Sequence, residues 1–262
     1  ELASGWMQDA GMTTHIDHFG NLVGRLKGTD PSLPVLMMGS HLDSQPYGGR
    51  FDGVAGVLSA IEVMQTMKEQ GIRPRRSIDV VSFADEEGWR FNKGLFGSRG
   101  ILGKLEEGEL QRMDKDGITR EQALIDFGCD PHKFLESEYK PGSIHCFLEL
   151  HIEQGPVLDL ANKPIGVVSG ISGPLWLTVT LRGMAGHAGS VPMPIRQDAL
   201  LGASEIVVAL NRIATQVPGA PTVGTVGTMQ VFPASRNIIP EEVRFTVDLR
   251  DIDLDRRNRY EK

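Results

Sequence analysis

Residues 35–57 read VLMMGSHLDSQPYGGRFDGVAGV, and this stretch decides the fold. It opens on an unbroken apolar run, which is typical of a strand buried on both faces of a sheet. Residues 54–70 then carry apolar side chains at helical spacing, and Gly71 is a suitable helix end. A second apolar run, IDVVSFA, follows at residues 78–84. Strand, helix and strand in this order predict an α/β domain with a mostly parallel sheet and flanking helices.

The pattern changes in the second half of the chain. Alternating polar and apolar residues, typical of strands with one solvated face, occupy 176–183, 226–232 and 243–249. Residues 198–214 have the spacing of an amphipathic helix. This order predicts a smaller α+β domain, in which helices cover one face of an antiparallel sheet.

Residues 169–174 are rich in glycine, serine and proline, a composition that is typical of loops. This predicts a domain boundary near residue 170. The predicted domains are therefore residues 1–170 and residues 171–262. Within the first domain, FLELHI at 147–152 is predicted as a further strand. The polar residues 100–140 are predicted to form surface helices and loops.

Composition narrows the class of protein. The 262 residues carry a net charge of −7 and no long Lys/Arg cluster, which argues against nucleic-acid binding. No apolar stretch approaches the roughly 20 residues that span a bilayer, and no signal peptide opens the chain, so no membrane association is expected. The two cysteines, Cys129 and Cys146, form no CxxC pair. We therefore predict a cytoplasmic protein in a reducing compartment.

Candidate metal ligands follow the first buried strand. His41 and Asp43 form an H-x-D triplet whose side chains share one face of the strand end. A metal-bound histidine commonly passes its second N–H to a carboxylate, although an H-x-D triplet alone is more often an ordinary surface pair. Asp52 lies among glycines that permit a tight loop, or else marks a plain Asp-Gly turn. The combination of His41 and Asp52 favours a metal site.

Two more strand ends carry ligand-type residues. Glu86 and Glu87 close the second buried strand, where charges are costly unless they serve a purpose, although an acidic pair usually means a solvated loop. His151 follows the third apolar run, where a lone histidine is also compatible with a core position. Imidazoles and carboxylates on neighbouring strand ends are what a hydrolytic two-metal site requires. One glutamate can then bind metal while the other acts as general base.

These pieces resemble the M20 metallopeptidase family, and within it the amidase/hydantoinase/carbamoylase branch. The matching stretches, in the family's order, are GSHLDS, GGRFDGVAGV, FADEEGWRF, GSRG, LELHIEQGP, GHAGSVPM, RQDAL and RNIIPEEVRFTVDLRD. The stretch ELHIEQGP is similar to the carbamoylase branch, in which a histidine replaces an acidic ligand of the peptidases. The resemblance implies that the smaller domain is an inserted lid and dimerisation domain, and that the first domain binds metal.

The resemblance also implies two divalent metal ions, zinc or manganese, with cobalt or nickel as alternatives. Asp52 would bridge the two ions, while His41 and His151 complete one of them. Glu87 would bind the other ion. Glu86 would be the general acid and base.

Further roles are implied by the same resemblance. Asp43 would hold His41. His187 matches the histidine that reaches the oxyanion, typically in the partner subunit's site, so a homodimer is expected. Asn237 would contact the substrate and Arg250 would bind its carboxylate, although alone Arg250 is compatible with an ordinary salt bridge. Gln154 is a weaker candidate near the substrate or the metals.

The implied reaction is hydrolysis of a carbamoyl or ureido C–N bond in a small molecule that carries a carboxylate. An N-carbamoyl-L-amino acid would give the amino acid, CO2 and ammonia. Allantoate and 3-ureidopropionate are alternative substrates. A peptidase or aminoacylase of the same fold is a second alternative, and a non-catalytic binding module is a third.

One departure from the family pattern concerns the last metal ligand. The family supplies it as a histidine near the C-terminus, whereas no histidine follows His187 in this chain. The chain also begins at Glu1 in what resembles the end of a helix. The sequence therefore predicts a fragment of a longer enzyme.

Overall fold

The structure, a computed structural model, describes residues 1–261. It divides into two compact units, one that ends at Pro164 and one that begins at Ile165. This division falls a few residues before the position predicted from the Gly/Ser/Pro-rich stretch. No helix in residues 1–261 is both long enough and apolar enough to cross a membrane.

The first unit is built around a five-stranded sheet with the order β1-β2-β4-β3-β5. Its elements are α1 (Leu2–Asp9), β1 (Thr13–Ile16), β2 (Leu22–Leu26), β3 (Val35–His41), α2 (Val54–Glu69), β4 (Ile78–Phe83), α3 (Phe96–Ile101), α4 (Arg120–Asp126), α5 (Phe134–Ser137), β5 (Ile144–Leu148) and α6 (Val157–Leu160).

The sheet is mixed rather than mostly parallel, which corrects the prediction. Strand β3 runs parallel to both β4 and β5, as expected for a β-α-β unit. Strand β2 is antiparallel to β4, and β1 is antiparallel to β2. The turn between β1 and β2 closes where Asp17 accepts the backbone N–H groups of Phe19 and Asn21. This hairpin adds the antiparallel edge.

Two hydrophobic cores lie on the two faces of this sheet. Neighbouring residues of β4 divide between them, with Val80 in the core under α1 and α2 and Val81 in the core on the other face. The second core also contains Leu124 and Cys129. Part of the segment 100–140 therefore packs on the sheet. The prediction that this segment forms only surface helices and loops was wrong.

The second unit contains a three-stranded antiparallel sheet with the order β6-β8-β7. Its elements are β6 (Gly173–Arg182), α7 (Ala199–Ala214), β7 (Val223–Phe232), β8 (Glu242–Asp251) and α8 (Leu254–Tyr260). Helix α7 begins at the cap Asp198, whose carboxylate accepts the N–H groups of Leu200 and Leu201. Alternate side chains of β8, including Val243 and Phe245, are buried with Ala203 of α7. The chain thus combines a mixed sheet with a separate antiparallel sheet.

Candidate metal centre

The candidate centre lies at the carboxyl ends of the parallel strands in the first unit. His41 is the last residue of β3, and Asp52 follows in the loop before α2. His151 follows β5, which pairs directly with β3. Strand β5 covers residues 144–148, not the predicted 147–152, so His151 lies in the loop after the strand. Carboxyl ends of neighbouring parallel strands meet at one sheet edge, which is where such folds commonly bind ligands.

Three side chains converge there, namely His41, Asp52 and His151. Their ligand-type atoms all lie within 4.8 Å of one another. Nε2 of His151 is 3.1 Å from Oδ1 of Asp52, and Nε2 of His41 is 3.8 Å from the same oxygen. This Oδ1 is buried and accepts no hydrogen bond. A buried carboxylate oxygen without a partner is costly unless a cation completes its surroundings.

The backbone sets which ring nitrogens face Asp52. Nδ1 of His41 lies 2.8 Å from the carbonyl oxygen of Asp43, and Nδ1 of His151 lies 2.8 Å from the carbonyl oxygen of Ile152. A carbonyl oxygen only accepts, so each Nδ1 donates its proton to the backbone and each ring presents its Nε2 atom to Asp52. Two Nε2 atoms and a carboxylate oxygen directed at one point form a typical set of metal ligands. These residues therefore fit a divalent metal ion.

Asp43 connects this centre to the loop after β4. Its backbone carbonyl, rather than its carboxylate, makes the short contact with His41; the carboxylate oxygen is 3.7 Å from Nδ1. The carboxylate instead accepts the backbone N–H groups of Glu86 (3.3 Å) and Glu87 (3.0 Å). Asp43 thus ties the two loops together through both its backbone and its side chain.

The two glutamates take different environments. Oε2 of Glu86 is 3.5 Å from Nε2 of His41, and burial raises the pKa of the Glu86 carboxyl. Glu87 instead accepts a hydrogen bond of 2.7 Å from Nε2 of Gln45. Three of the four predicted ligands, His41, Asp52 and His151, therefore lie together, and Glu86 lies beside them. The fourth, Glu87, forms a hydrogen bond with Gln45.

Two further polar contacts lie near the centre. Gln154, predicted as a weaker candidate, donates from Nε2 to Oδ2 of Asp52 and so orients the carboxylate. Oγ of Ser40 donates to Oε1 of Glu149 at 2.5 Å, a contact that the sequence analysis did not identify. Ser40 lies in the motif GSHLDS and Glu149 lies in ELHIEQG. Their places in these two motifs were the only indication in the sequence that they lie near the centre.

The remaining predicted site residues lie in the second unit, where His187 and Asn237 are neighbours. The backbone N–H of Ala188 donates to the carbonyl oxygen of Asn237 at 2.9 Å. The N–H of Gly189 donates to Nδ1 of His187 at 3.1 Å, so the neutral ring carries its proton on Nε2. This arrangement leaves His187 able to donate a hydrogen bond from Nε2.

Arg250, on strand β8, is paired with Asp248. Its Nε and Nη2 donate to the Asp248 carboxylate at 2.9 and 2.7 Å. This pairing lowers the pKa of Asp248 and raises the pKa of Arg250. The guanidinium therefore sits in an ordinary strand-end salt bridge in this structure.

Comparison with known proteins places the chain in a family. The sequence profile of peptidase family M20/M25/M40 matches residues 37–256. An N-carbamoyl-L-amino-acid amidohydrolase of Pseudomonas sp. (strain NS671) is 52% identical over 260 residues, which cover 98% of this chain and 63% of that protein. An allantoate deiminase of Arabidopsis thaliana is 38% identical over 273 residues, which cover 96% of this chain and 52% of that protein.

Solved structures agree with these relatives. A hydantoinase/carbamoylase family amidase from Burkholderia ambifaria superposes with a TM-score of 0.85 at 40% identity, over 99% of this chain and 62% of that one. The chain thus spans less than two thirds of the length of the relatives it matches. The profile match and the level of identity show that the chain belongs to peptidase family M20/M25/M40.

Proposed function

We propose that this chain forms the metal-holding part of an amidohydrolase that cleaves carbamoyl or ureido C–N bonds. The observation that carries the proposal is the buried, unpartnered Oδ1 of Asp52 between the Nε2 atoms of His41 and His151. The similar Pseudomonas protein is named for N-carbamoyl-L-amino acids, which are therefore the first substrates to consider.

The proposal assigns metal binding to four residues. His41, Asp52 and His151 would hold one divalent ion, and Glu87 would contribute to a second that Asp52 also contacts. Divalent ions bound there supply Lewis acidity and lower the pKa of a water molecule towards neutrality. Zinc and manganese both suit imidazole and carboxylate donors, with cobalt and nickel as alternatives.

Glu86 is the residue we assign to proton transfer. Its carboxylate is 3.5 Å from His41, and its backbone N–H is held by Asp43, so it lies beside the candidate ligands. It would accept the proton of the attacking water and return a proton to the leaving nitrogen. One water is consumed, and an N-carbamoyl-L-amino acid gives the amino acid, CO2 and ammonia.

The proposal gives the second unit the contacts to the substrate. His187 would donate from Nε2 to the developing oxyanion, and Asn237 would contact the same substrate. Arg250 would release the carboxylate of Asp248 and bind the carboxylate of the substrate instead. The planar guanidinium suits this role because it can donate two parallel hydrogen bonds to a carboxylate. A homodimer, with a lid and dimerisation domain near residues 171–262, is part of the same proposal.

Metal titration tests the central claim. Metal-free chain would be titrated with Mn²⁺ and with Zn²⁺ in a calorimeter, beside an Asp52→Asn variant and a control Asp30→Asn variant in an exposed loop. We expect one or two ions per wild-type and control chain. The Asp52→Asn variant should bind metal at least about 10- to 100-fold more weakly, the loss that follows even from removing a residue that only orients a ligand. A stoichiometry near zero for the wild type would support a non-catalytic binding module instead.

Ammonia release then identifies the reaction. The metal-loaded chain and the complete product of its gene would be assayed with an N-carbamoyl-L-amino acid, allantoate, 3-ureidopropionate and a dipeptide. We expect turnover of the N-carbamoyl-L-amino acid. Preference for allantoate would shift the assignment towards the activity named for the Arabidopsis relative. Cleavage of the dipeptide with no ureido turnover would indicate a peptidase or aminoacylase.

A further inference from the structure

A buried cluster of charged side chains lies directly behind the loop that carries Glu86 and Glu87. At its centre is Arg120, which is only 1% exposed. Nη2 of Arg120 donates to Oδ2 of Asp85 at 2.7 Å, and Nη1 donates to Oε1 of Glu109. Asp85 is the residue immediately before Glu86, so the buried cation contacts the start of the loop.

Two aromatic rings also contact Arg120. Its guanidinium carbon lies 4.3 Å from the ring centroid of Phe96 and 4.9 Å from that of Phe91. Both rings are themselves buried. An arginine that faces aromatic rings and two carboxylates has a closely defined position, because its planar fork cannot turn without losing several contacts.

The cluster also contacts the far end of the same loop. Nη2 of Arg120 donates to the carbonyl oxygen of Lys93 at 2.9 Å. Arg99 donates to both carboxylate oxygens of Glu109, at 3.1 and 2.8 Å, and to the carbonyl oxygen of Gly94 at 3.0 Å. The two arginines therefore hold residues at the beginning and at the end of the segment 85–94.

The backbone of this loop requires such support. Asp85, Asn92 and Leu95 all have φ between +49° and +59°, which is the left-handed region that residues with a Cβ atom seldom adopt. The N–H of Leu95 donates to the carbonyl oxygen of Glu86 at 2.7 Å, which closes the loop on itself. Left-handed residues persist only where surrounding contacts hold them, and they concentrate at functional sites.

Stability alone does not explain a buried cluster of charged side chains. Taking several charges out of water is expensive, and well-packed apolar side chains of similar size are often equally stabilising or more so. Hydrogen bonds from Arg120 that end on Asp85 and Lys93 nevertheless define the path of one particular loop. That loop carries both Glu86 and Glu87, and the Asp43 carboxylate accepts the backbone N–H groups of the same two residues.

We infer that Arg120 is a positioning residue that acts through Asp85 to hold Glu86 and Glu87 in place at the metal centre. This inference rests on the proposed function, in which Glu86 transfers the proton and Glu87 contributes to the second metal. Arg120 contacts neither glutamate side chain in the structure of residues 1–261, so its effect passes through the backbone of the loop.

Two variants test the inference, the isosteric Asp85→Asn and the charge-preserving Arg120→Lys. The first removes one of the two negative charges that Arg120 contacts, the one on the loop, and the second keeps the cation but removes the planar guanidinium. The control is Asp79→Asn, since Asp79 is a buried carboxylate of the first unit that pairs with a different arginine, Arg25, at 2.6 Å. Asp79 lies near the start of β4, at the opposite end of the strand from the glutamates.

Amide hydrogen exchange gives a measurement that does not depend on metal or turnover. Exchange of the peptide segment 85–95 should be about 10-fold faster or more in both test variants, and unchanged in Asp79→Asn. Exchange that stays at the wild-type rate in Arg120→Lys and Asp85→Asn would overturn the inference, because the loop would then be held without the cluster.

Metal binding and kinetics connect the loop to the chemistry. In the test variants we expect binding of a second metal and kcat to fall about 10- to 100-fold, with KM within about twofold of the wild type. Asp79→Asn should lose thermal stability while its kcat stays unchanged. Equal losses of kcat in Asp79→Asn and Asp85→Asn would indicate a purely structural role and overturn the inference. A wild-type chain that binds no metal would reject the proposed function, and hydrogen exchange would still decide whether Arg120 orders the loop.

Discussion

A β-carbon placed on Gly53 would lie 2.4 Å from Nδ1 of His41, and nearly as close to two other atoms of that ring. The imidazole therefore lies flat against the backbone of Gly53, at the start of helix α2. Gly53 also has a φ of +66°. The absence of a side chain at this position allows the ring to direct Nε2 at Asp52, so the glycine is part of the geometry of the candidate centre.

Gly53→Ala should displace the His41 ring and weaken metal binding. We expect a loss of about 10- to 100-fold in affinity for Mn²⁺ or Zn²⁺, because a small displacement of a ligand is costly. Gly53 has a φ of +66° and a ψ of −48°, the conformation of the rare, strained form of γ-turn, and the added β-carbon would also meet the His41 ring. The free energy of unfolding should therefore fall by more than the roughly 1–2 kcal/mol expected for a left-handed helical residue. Calorimetric titration measures the affinity, and urea unfolding measures the stability.

The matched control for that variant is Gly71→Ala. Gly71 has the same φ of +66°, but a β-carbon there would meet no atom within 4 Å. The control should lose about 1–2 kcal/mol of stability and keep wild-type metal affinity. If both alanine variants bound metal equally well, the contact between Gly53 and His41 would have no bearing on the centre.

Asp43→Ala should loosen the loop that carries the two glutamates. The variant removes a carboxylate that accepts two backbone N–H groups, and no other side chain accepts from Glu86 or Glu87 N–H in residues 1–261. We expect kcat and the affinity for a second metal to fall about 10- to 100-fold. The three-residue cluster around Asp52 should still bind one metal, because the carbonyl of residue 43 remains available to His41.

Stoichiometry measured by calorimetry distinguishes the two effects of the Asp43→Ala variant. The control is Asp30→Ala, which removes a carboxylate that accepts hydrogen bonds from Ser32 within an exposed loop. This control should leave the affinities for the first and for the second metal ion unchanged. Loss of all metal binding in Asp43→Ala would contradict the division of roles between the backbone and the side chain of Asp43.

The sequence was most informative where a residue's environment follows from its immediate neighbours. The apolar runs at 35–39 and 78–84 predicted β3 and β4, and the helical spacing between them predicted α2. The alternating pattern likewise predicted the strands of the second unit. Strand β1, by contrast, has four residues and is mostly exposed, so it lacks the apolar periodicity on which such a prediction depends. The antiparallel direction of β2 follows from its partners and has no local signal.

Long-range polar contacts were the main omission. Arg120 and Glu109 were predicted among surface helices and loops, because charged residues are almost always solvated unless they are paired. They form a buried ion pair across 11 residues of the chain, which no local pattern of the sequence indicates. The type and order of His41, Asp52 and His151 indicated a metal site, but their convergence on a single oxygen of Asp52 required the fold. Nothing in the sequence indicated that the Asp43 carboxylate accepts the backbone N–H groups of Glu86 and Glu87.

Arg250→Ala and Asp248→Ala should have different kinetic consequences. If Arg250 binds the substrate carboxylate, its removal should raise KM about 10- to 100-fold, the usual scale for hydrogen bonds to a charged group. Asp248→Ala should leave KM within about twofold, because it only frees the guanidinium. Steady-state kinetics with an N-carbamoyl-L-amino acid would compare the two. Equal increases in KM would indicate that the pair is structural.

Acid should destabilise the chain partly through Asp251. This fully buried carboxylate accepts hydrogen bonds from Arg256 at 2.6 and 2.5 Å, from Thr222, and from the backbone N–H of Asp253 at 2.8 Å. The Arg256 hydrogen bonds, followed by those from Thr222 and Asp253, hold the pKa of Asp251 well below its ordinary value of 3.8. Because the pKa is lower in the folded state than in the unfolded state, the stabilisation is complete above pH 3.8 and is lost as the pH falls below it.

Urea unfolding followed by circular dichroism between pH 7 and pH 3 would measure this contribution. Asp251→Asn should lower the urea midpoint at pH 7, since it leaves Arg256 without its charged partner, and should flatten the decline below pH 4. Glu205→Gln removes an exposed carboxyl from α7 of the same unit and should keep the wild-type profile. An Asp251→Asn variant whose midpoint declined with acid as steeply as the wild type would show that other carboxylates control acid unfolding. The ion pair at the end of β8 would then contribute to stability at neutral pH without setting its pH dependence.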